Sequence, residues 1–214
     1  MEKETSRVET FSDSVFAIAL TLLILNIQVP NLSDLTTNET LFFTIIKLWP
    51  SYIAFILSFS AVLIMWINHH GFFKYLKKID TGFLFANGFL LLSVTFINYP
   101  TAVLARYINT PAINIASAFY CGSMLLVSTS YNLLWYSAAY KRRLMKDEIS
   151  STLIIKIRNA YLIGFFFYIF AFVISFFIPI IGLMMSILLW VFWIVIKFDN
   201  KKKPSLTKTD KRFT

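Results

Sequence analysis

The chain has few charged residues and a single cysteine. Only 14% of its 214 residues are charged, against roughly 25% in ordinary globular proteins. So little charge cannot give a fold of this size a polar exterior, which argues against a water-soluble domain. Cys121 is the only cysteine, so no internal disulfide bond can form. The polar, acidic N-terminus lacks the basic stretch of a signal peptide, and we expect no removable signal.

Sequence motifs that carry catalysis are absent. The chain contains no HExxH, no Walker phosphate loop, no GxSxG and no CxxC. His69 and His70 are adjacent, so on a helix their side chains point about 100° apart and are poorly placed to share a metal ion. No zinc-ligand spacing or RNA-binding signature accompanies the basic C-terminus. We therefore expect no enzyme activity, no metal site, no cofactor and no nucleic-acid partner.

Apolar residues make up 57% of the chain, and 23 residues are Phe. They recur in runs of about 20 residues, the length that crosses a bilayer as a helix. A spanning segment must satisfy its own backbone hydrogen bonds, and no alternating barrel pattern is present. The sequence thus predicts an all-α membrane protein with six transmembrane helices. The predicted spans are residues 8–28, 49–69, 81–99, 112–139, 157–177 and 180–197. Serines dilute the fourth span, which suggests that it tilts or extends into water.

The positive charges predict the orientation. If the N-terminus lies inside, all but two of the 20 Lys and Arg residues fall on the inner side. The exceptions are Lys47 and Arg106. This asymmetry follows the positive-inside rule and places both termini in the cytoplasm, in the cell (plasma) membrane. The net charge of +9 is then explained by topology and by contact of the basic tail with membrane lipids.

Polar residues cluster at the inner ends of the first two spans. Polar groups are costly inside a membrane and by default mark functional or bundle-locking sites. The two clusters are predicted at the same depth, so we expect a buried network in which Asp13 pairs with His69 or Asn68. Such a network would at least lock the bundle. The first cluster consists of Arg7, Ser12, Asp13 and Ser14, and the second of Trp66, Asn68, His69 and His70.

The rest of the first span is almost purely aliphatic. Ile18, Leu22 and Leu25 are spaced i, i+4, i+7 and form one stripe, which Thr21 borders. Asp13 lies about 140° away from this stripe, toward the bundle. Taken alone, the stripe is equally typical of a packing face or a lipid face.

Arg7, Phe11, Ser12 and Asp13 form the pattern RxxxFSD, which the sequence VFAIALTLLIL follows directly. This pattern, with the group of Trp66, Asn68, His69 and His70 closing the second span, resembles the prokaryotic branch of the transmembrane protein 175 family of potassium-permeable channels. The resemblance covers the whole chain in outline.

The resemblance implies a homotetramer with four copies of the first helix around a central pore. It implies that Ile18, Leu22 and Leu25 constrict this pore and that Thr21 adds a layer of hydroxyl groups. Arg7, Phe11, Ser12 and Asp13 are then expected to brace the first helix against its neighbours. The expected function is a modestly K⁺-selective cation channel, with residues 1–200 as the six-helix channel unit and residues 201–214 as a basic cytoplasmic tail. Its expected partners are copies of itself, membrane lipids and monovalent cations.

Two other classes of function remain as alternatives. A secondary transporter of a small cation or metabolite would be expected to show internal repeats and helices broken by Gly or Pro near the midplane. The chain has only six Gly and six Pro and no convincing repeat. The other alternative is a non-conducting, lipid-interacting membrane protein, in which the stripe of Ile18, Leu22 and Leu25 would face lipid rather than a symmetry axis.

Overall fold

The structure, a computed structural model, describes residues 2–30 and 37–195, with side chains from residue 4 onward. The described part is helical throughout apart from short connections and one isolated bridge. Its α-helices are α1 (Glu2–Leu22), α2 (Asn38–Lys47), α3 (Trp49–Phe73), α4 (Thr81–Phe96), α5 (Asn98–Tyr107), α6 (Ile113–Ala139), α7 (Ser151–Ser175) and α8 (Pro179–Val195). The predicted basic tail, residues 201–214, lies outside the described residues.

Five helical segments of the described chain are long and apolar enough to cross a bilayer. They are Glu4–Asn26, Trp49–Phe73, Thr81–Tyr107, Ile113–Arg142 and Ser151–Ser175. The prediction of an all-α membrane protein is confirmed by this architecture. Helix α8 is equally apolar but has 17 residues, so the sixth crossing stays a prediction.

Helix α6 occupies the centre of the bundle and packs against α4, α5, α7 and α8. Its serines face other helices: the Ser93 and Ser130 hydroxyls share a hydrogen bond of 2.8 Å between α4 and α6. Asn132 donates to the Tyr161 carbonyl of α7 at 3.2 Å. Small and hydroxyl-bearing residues let membrane helices approach closely. The serines that dilute the fourth span therefore reflect helix contact. The segment Ile113–Arg142 has 30 residues, and the expectation that it tilts or extends into water stays a prediction.

Helices α7 and α8 form an antiparallel hairpin that depends on two glycines. A Cβ atom at Gly182 would overlap the Ser175 hydroxyl and lie 2.7 Å from the Ala171 carbonyl oxygen. At the other end of the hairpin, a Cβ atom at Gly164 would lie 2.7 Å from the Trp193 ring. Each contact is closer than real Cβ atoms allow. At Gly182 the obstacle is backbone, so the helices approach there only because this residue lacks a side chain, whereas at Gly164 it is the Trp193 ring.

Two short helices that the sequence analysis missed, α2 and α5, adjoin longer ones near a proline. Pro50 lies in the first turn of α3, just after the break at Leu48. Pro100 follows the break at Ile97 between α4 and α5. Proline lacks a backbone N–H and crowds the preceding turn, so it begins a helix more readily than it continues one.

The α3–α4 and α6–α7 loops are joined at the end of the bundle where α1 begins. The Lys77 amide donates to the Leu144 carbonyl and the Lys146 amide to the Tyr75 carbonyl, each at 2.9 Å. Lys77 also forms an ion pair with Asp147 at 2.7 Å. These contacts hold four helix ends, those of α3, α4, α6 and α7, at a fixed separation.

Candidate functional site: the two faces of the first helix

Helix α1 runs antiparallel to the end of α3, and two side-chain contacts one turn apart fix this pairing. The Trp66 indole N–H donates to Oδ1 of Asp13 at 2.9 Å. One turn toward the N-terminus of α1, His70 Nδ1 lies 2.9 Å from Glu9 Oε1. Because Glu9 and Asp13 are four residues apart, as are Trp66 and His70, the matched spacing sets both the register and the rotation of α1.

A second set of contacts connects α1 to α4 through buried polar groups. The Asn87 amide on α4 donates to the Ser12 hydroxyl at 2.9 Å, and its oxygen lies 2.9 Å from His69 Nε2. Ser12 and His69 are fully buried, and Asn87 is nearly so. Since Asn87 uses its N–H group on Ser12, its oxygen accepts from the His69 ring, which assigns the proton of a neutral His69 to Nε2. One residue thus ties three helices together.

The predicted pairing of Asp13 with His69 or Asn68 was wrong in its partners. Asp13 accepts from Trp66, and His69 belongs to the separate chain through Asn87. Asn68 donates to the Ile64 carbonyl of its own helix at 3.0 Å and lines a cavity between α3, α6, α7 and α8. A helix turns by about 100° per residue, so the side chains of Asn68 and His69 point in different directions.

Glu9 and Asn87 were not predicted from the sequence as contacts of the first helix. Glu9 lies one turn before Asp13, so the i, i+4 spacing could have pointed to it. Asn87 is the one Asn within the apolar run of the third span before its end, and an amide inside a membrane span is itself a signal of a buried contact. No pattern in the sequence indicates which helices Asn87 joins.

Arg7 and Phe11 lie on the opposite side of α1 from these contacts. Both side chains are exposed, Phe11 by 62%, and both line a groove between α1 and α4. Within the described side chains Arg7 forms no ion pair. Of the four motif residues, Ser12 and Asp13 therefore contact neighbouring helices of this protomer, while Arg7 and Phe11 face outward.

The aliphatic stripe continues along the same outward face. Ile18 is 56% exposed, Leu22 41% and Leu25 69%. Thr21 is exposed beside them, and its hydroxyl donates to the Ile18 carbonyl at 2.9 Å. The opposite face of α1, made of Phe16, Ala19 and Leu23, is buried. Among the segments long enough to span a bilayer, α1 has the smallest buried share.

The end of the stripe is wound more tightly than an α-helix. Leu23–Asn26 form a 3₁₀ turn that directly follows Leu22. Side chains three residues apart eclipse in this geometry, so Leu25 stacks directly beyond Leu22. The axial rise is about 6 Å from Ile18 to Leu22 in the α-helix and about 6 Å from Leu22 to Leu25 in the 3₁₀ turn. The three side chains therefore form evenly spaced layers.

These features define a multi-pass α-helical membrane protein whose first helix has one braced polar face and one uncovered apolar face. A family model described as endosomal/lysosomal potassium channel TMEM175 matches residues 7–97. A protein from Chamaesiphon minutus named potassium channel is 41% identical over 175 residues, which cover 82% of this chain and 86% of that protein. One from Streptomyces collinus, also named potassium channel, is 40% identical over 134 residues, covering 62% of this chain and 64% of that protein.

A solved structure agrees in fold. The crystal structure of a lysosomal potassium-selective channel TMEM175 homologue from Chamaesiphon minutus matches with a TM-score of 0.80 and 37% identity. The match covers 90% of this chain and 97% of that chain. The chain belongs to the TMEM175 family, which is a family of ion channels and not of enzymes. The resemblance drawn from the sequence motif is confirmed.

Proposed function

We propose that this protein is a potassium-permeable channel of the plasma membrane, in which several copies of α1 surround the ion path. The observation that carries the proposal is the uncovered stripe of Ile18, Leu22 and Leu25 on the least buried span of the bundle. The relatives named potassium channel support it. Both termini lie in the cytoplasm, residues 1–200 form the channel unit, and residues 201–214 form a basic tail. K⁺ is the permeating ion, and no cofactor is needed.

The assembly is a homotetramer with the stripe turned toward its axis. Four symmetry-related Ile or Leu side chains at one level make a narrow apolar collar, and the three layers repeat this collar at intervals of about 6 Å. A narrow apolar collar of this kind does not hold a continuous column of water, so loss of water from it can stop ion flow and thereby gate the channel. The Thr21 hydroxyl adds a polar layer between Ile18 and Leu22.

Selectivity then depends on the cost of distorting the hydration shell of the ion. K⁺ holds its water less tightly than Na⁺ and passes an apolar collar at lower cost. No cage of carbonyl oxygens replaces the lost water at an aliphatic collar, so the selectivity is modest. The contacts of Asp13 with Trp66 and of Ser12 with Asn87 contribute by fixing the rotation of α1, which keeps the stripe aligned on the axis.

The proposal is tested by measuring cation flux through the purified protein in liposomes. The substitution Ile18→Asn places an amide in the first collar, which should raise K⁺ flux several-fold and shift the reversal potential in a K⁺/Na⁺ gradient toward zero. The matched control is Ile163→Asn, because Ile163 is similarly exposed, at 48%, but lies on α7. Its flux and reversal potential should equal those of the wild type.

Two results would count against the proposal. Wild-type liposomes without K⁺ flux above that of protein-free liposomes would argue for a non-conducting membrane protein. If Ile18→Asn left the reversal potential unchanged while the protein conducted, Ile18 would not be the selective collar.

A further inference from the structure

The two basic residues that the charge pattern leaves on the outer side, Lys47 and Arg106, line the same cavity. Lys47 is the last residue of α2 and Arg106 lies in the last turn of α5. They are 59 positions apart in the sequence, and the fold brings them together. The cavity has a volume of about 400 Å³, within the range of small-ligand sites. Within the described side chains neither residue has a carboxylate within 4.0 Å.

Neutral hydrogen-bonding groups surround the two cations. Gln28, Ser51 and Asn109 line the cavity, and their side chains form no hydrogen bond within the described part of the chain. The cavity thus combines two cations with amide and hydroxyl donors, and none of its described lining residues is acidic. Such a site is complementary to an anion rich in oxygen atoms. Arginine and lysine favour phosphate in such sites because guanidinium and ammonium N–H groups form charge-assisted hydrogen bonds to its oxygens.

The surroundings of the cavity place it at the level of lipid headgroups. Trp49 follows the lining residue Leu48, and Tyr107 follows Arg106; both rings are exposed, by 43% and 41%. Exposed Trp and Tyr rings concentrate at the boundary between membrane and water. Helix α2, which carries Lys47, has no buried residue and exposes Phe42, Phe43 and Ile46, as expected of a helix lying in this boundary.

We propose that this cavity binds a phosphate group, which Lys47 and Arg106 hold jointly. The phosphate belongs to an anionic lipid headgroup of the outer leaflet or is taken from solution as a free anion. The site itself does not depend on conduction, whereas its position at the outer mouth of the ion path rests on the proposed function.

The site has a consequence for cation flow because Leu25, the outermost layer of the stripe, lines the same cavity. An uncompensated Lys47 and Arg106 repel cations from this region, and four subunits would repeat the effect. A bound phosphate lowers this positive charge. Potassium flux should therefore be higher when the site is filled, and the binding step can be measured without any flux.

The test measures binding to the full chain purified in detergent. Native mass spectrometry counts retained phosphatidylglycerol, with uncharged diacylglycerol as the comparison lipid. The wild type should retain phosphatidylglycerol, and Lys47→Gln/Arg106→Gln should weaken this binding at least about tenfold, since each lost charge-assisted contact is worth roughly that factor. The matched control is Lys74→Gln/Lys78→Gln, which removes the same charge at the opposite end of the bundle and should bind as the wild type does.

Titration with inorganic phosphate separates the two sources. If inorganic phosphate displaces phosphatidylglycerol from the wild type, a free anion suffices; if it does not, the site requires the lipid. Equal retention by the wild type and Lys47→Gln/Arg106→Gln would overturn the proposal, as would equal loss in the Lys74→Gln/Lys78→Gln control.

Discussion

The Trp66 indole N–H donates to Asp13 Oδ1 at 2.9 Å and thereby joins the third helix to the polar face of the first. Asp13 accepts this bond on a side of α1 about 140° from Ile18, as the helical spacing requires. The contact that braces α1 therefore leaves its aliphatic stripe uncovered.

Removing the Trp66 side of this bond should lower the unfolding free energy only while Asp13 is present to accept it. Trp66→Phe removes the donor and should lower the unfolding free energy by about 1–2 kcal/mol. In combination with Asp13→Ala, which removes the acceptor, the two losses should not add, because both variants remove the same contact. Thermal unfolding in detergent measures this. Trp49→Phe is the control, since Trp49 is exposed and its indole has no hydrogen bond within the described chain; additive losses would show that Asp13 and Trp66 are not coupled.

Asn87→Leu should be among the most damaging polar substitutions in the bundle. It preserves approximate side-chain volume but leaves His69 Nε2 without an acceptor. Ser12 loses the donor from α4, although its hydroxyl still donates to the Val8 carbonyl. Each buried polar group left unpaired costs about 1–3 kcal/mol. The melting temperature should fall clearly, whereas Asn159→Leu, at an exposed site on α7, should change it little. A stable Asn87→Leu protein with wild-type flux would show that the Ser12–Asn87–His69 chain is dispensable.

Two glycine substitutions should have opposite outcomes. Gly182→Ala places a methyl group against the Ala171 carbonyl and the Ser175 hydroxyl, so α7 and α8 must separate. Overpacking of this kind costs about 1–3 kcal/mol. Gly88→Ala meets nothing within 4 Å and removes a flexible residue from a helix, so the melting temperature should stay equal or rise. Equal losses in both variants would mean that the hairpin is not limited by contact at Gly182.

Acidification should break the ion pair between Lys77 and Asp147, which joins the α3–α4 and α6–α7 loops. Its hydrogen bond and charge interaction with Lys77 lower the pKa of the exposed Asp147 carboxyl below its ordinary value. A lowered folded-state pKa stabilises the fold above the ordinary pKa of the carboxyl, and this contribution disappears as the pH falls through the folded-state pKa. The small stability difference between the wild type and Asp147→Asn at pH 7 should therefore vanish in strong acid. A difference that is independent of pH would contradict the role of the charge.

The helical architecture could be predicted because spanning length and backbone satisfaction constrain it so strongly. Residues 49–69 and 112–139, for example, were predicted as spans, and helices occupy Trp49–Phe73 and Ile113–Ala139. The short helices α2 and α5 were missed because they have 10 residues each, below the length on which the span prediction relied.

The candidate site was predictable in its elements but not in its pairings. The motif of α1 and the polar end of α3 are in contact, because the two helices are antiparallel and these ends lie at the same depth in the bundle. The choice of Trp66 over His69 as the partner of Asp13 depends on the rotation of both helices, which the sequence leaves open. Asn87 lies on a third helix, and only tertiary packing brings it between Ser12 and His69.

The most direct measurement of whether α1 lines the ion path is block of K⁺ flux through a cysteine in the stripe. Cys121 is the only native cysteine and is fully buried, so a thiol-reactive quaternary ammonium reagent should spare the wild type. It should modify Leu22→Cys and abolish K⁺ flux in liposomes, since a fixed cation would then occupy the second collar. Leu188→Cys, exposed by 65% on α8, should conduct normally after treatment. If mass spectrometry shows complete modification of Leu22→Cys while its K⁺ flux is undiminished, the stripe does not line the path.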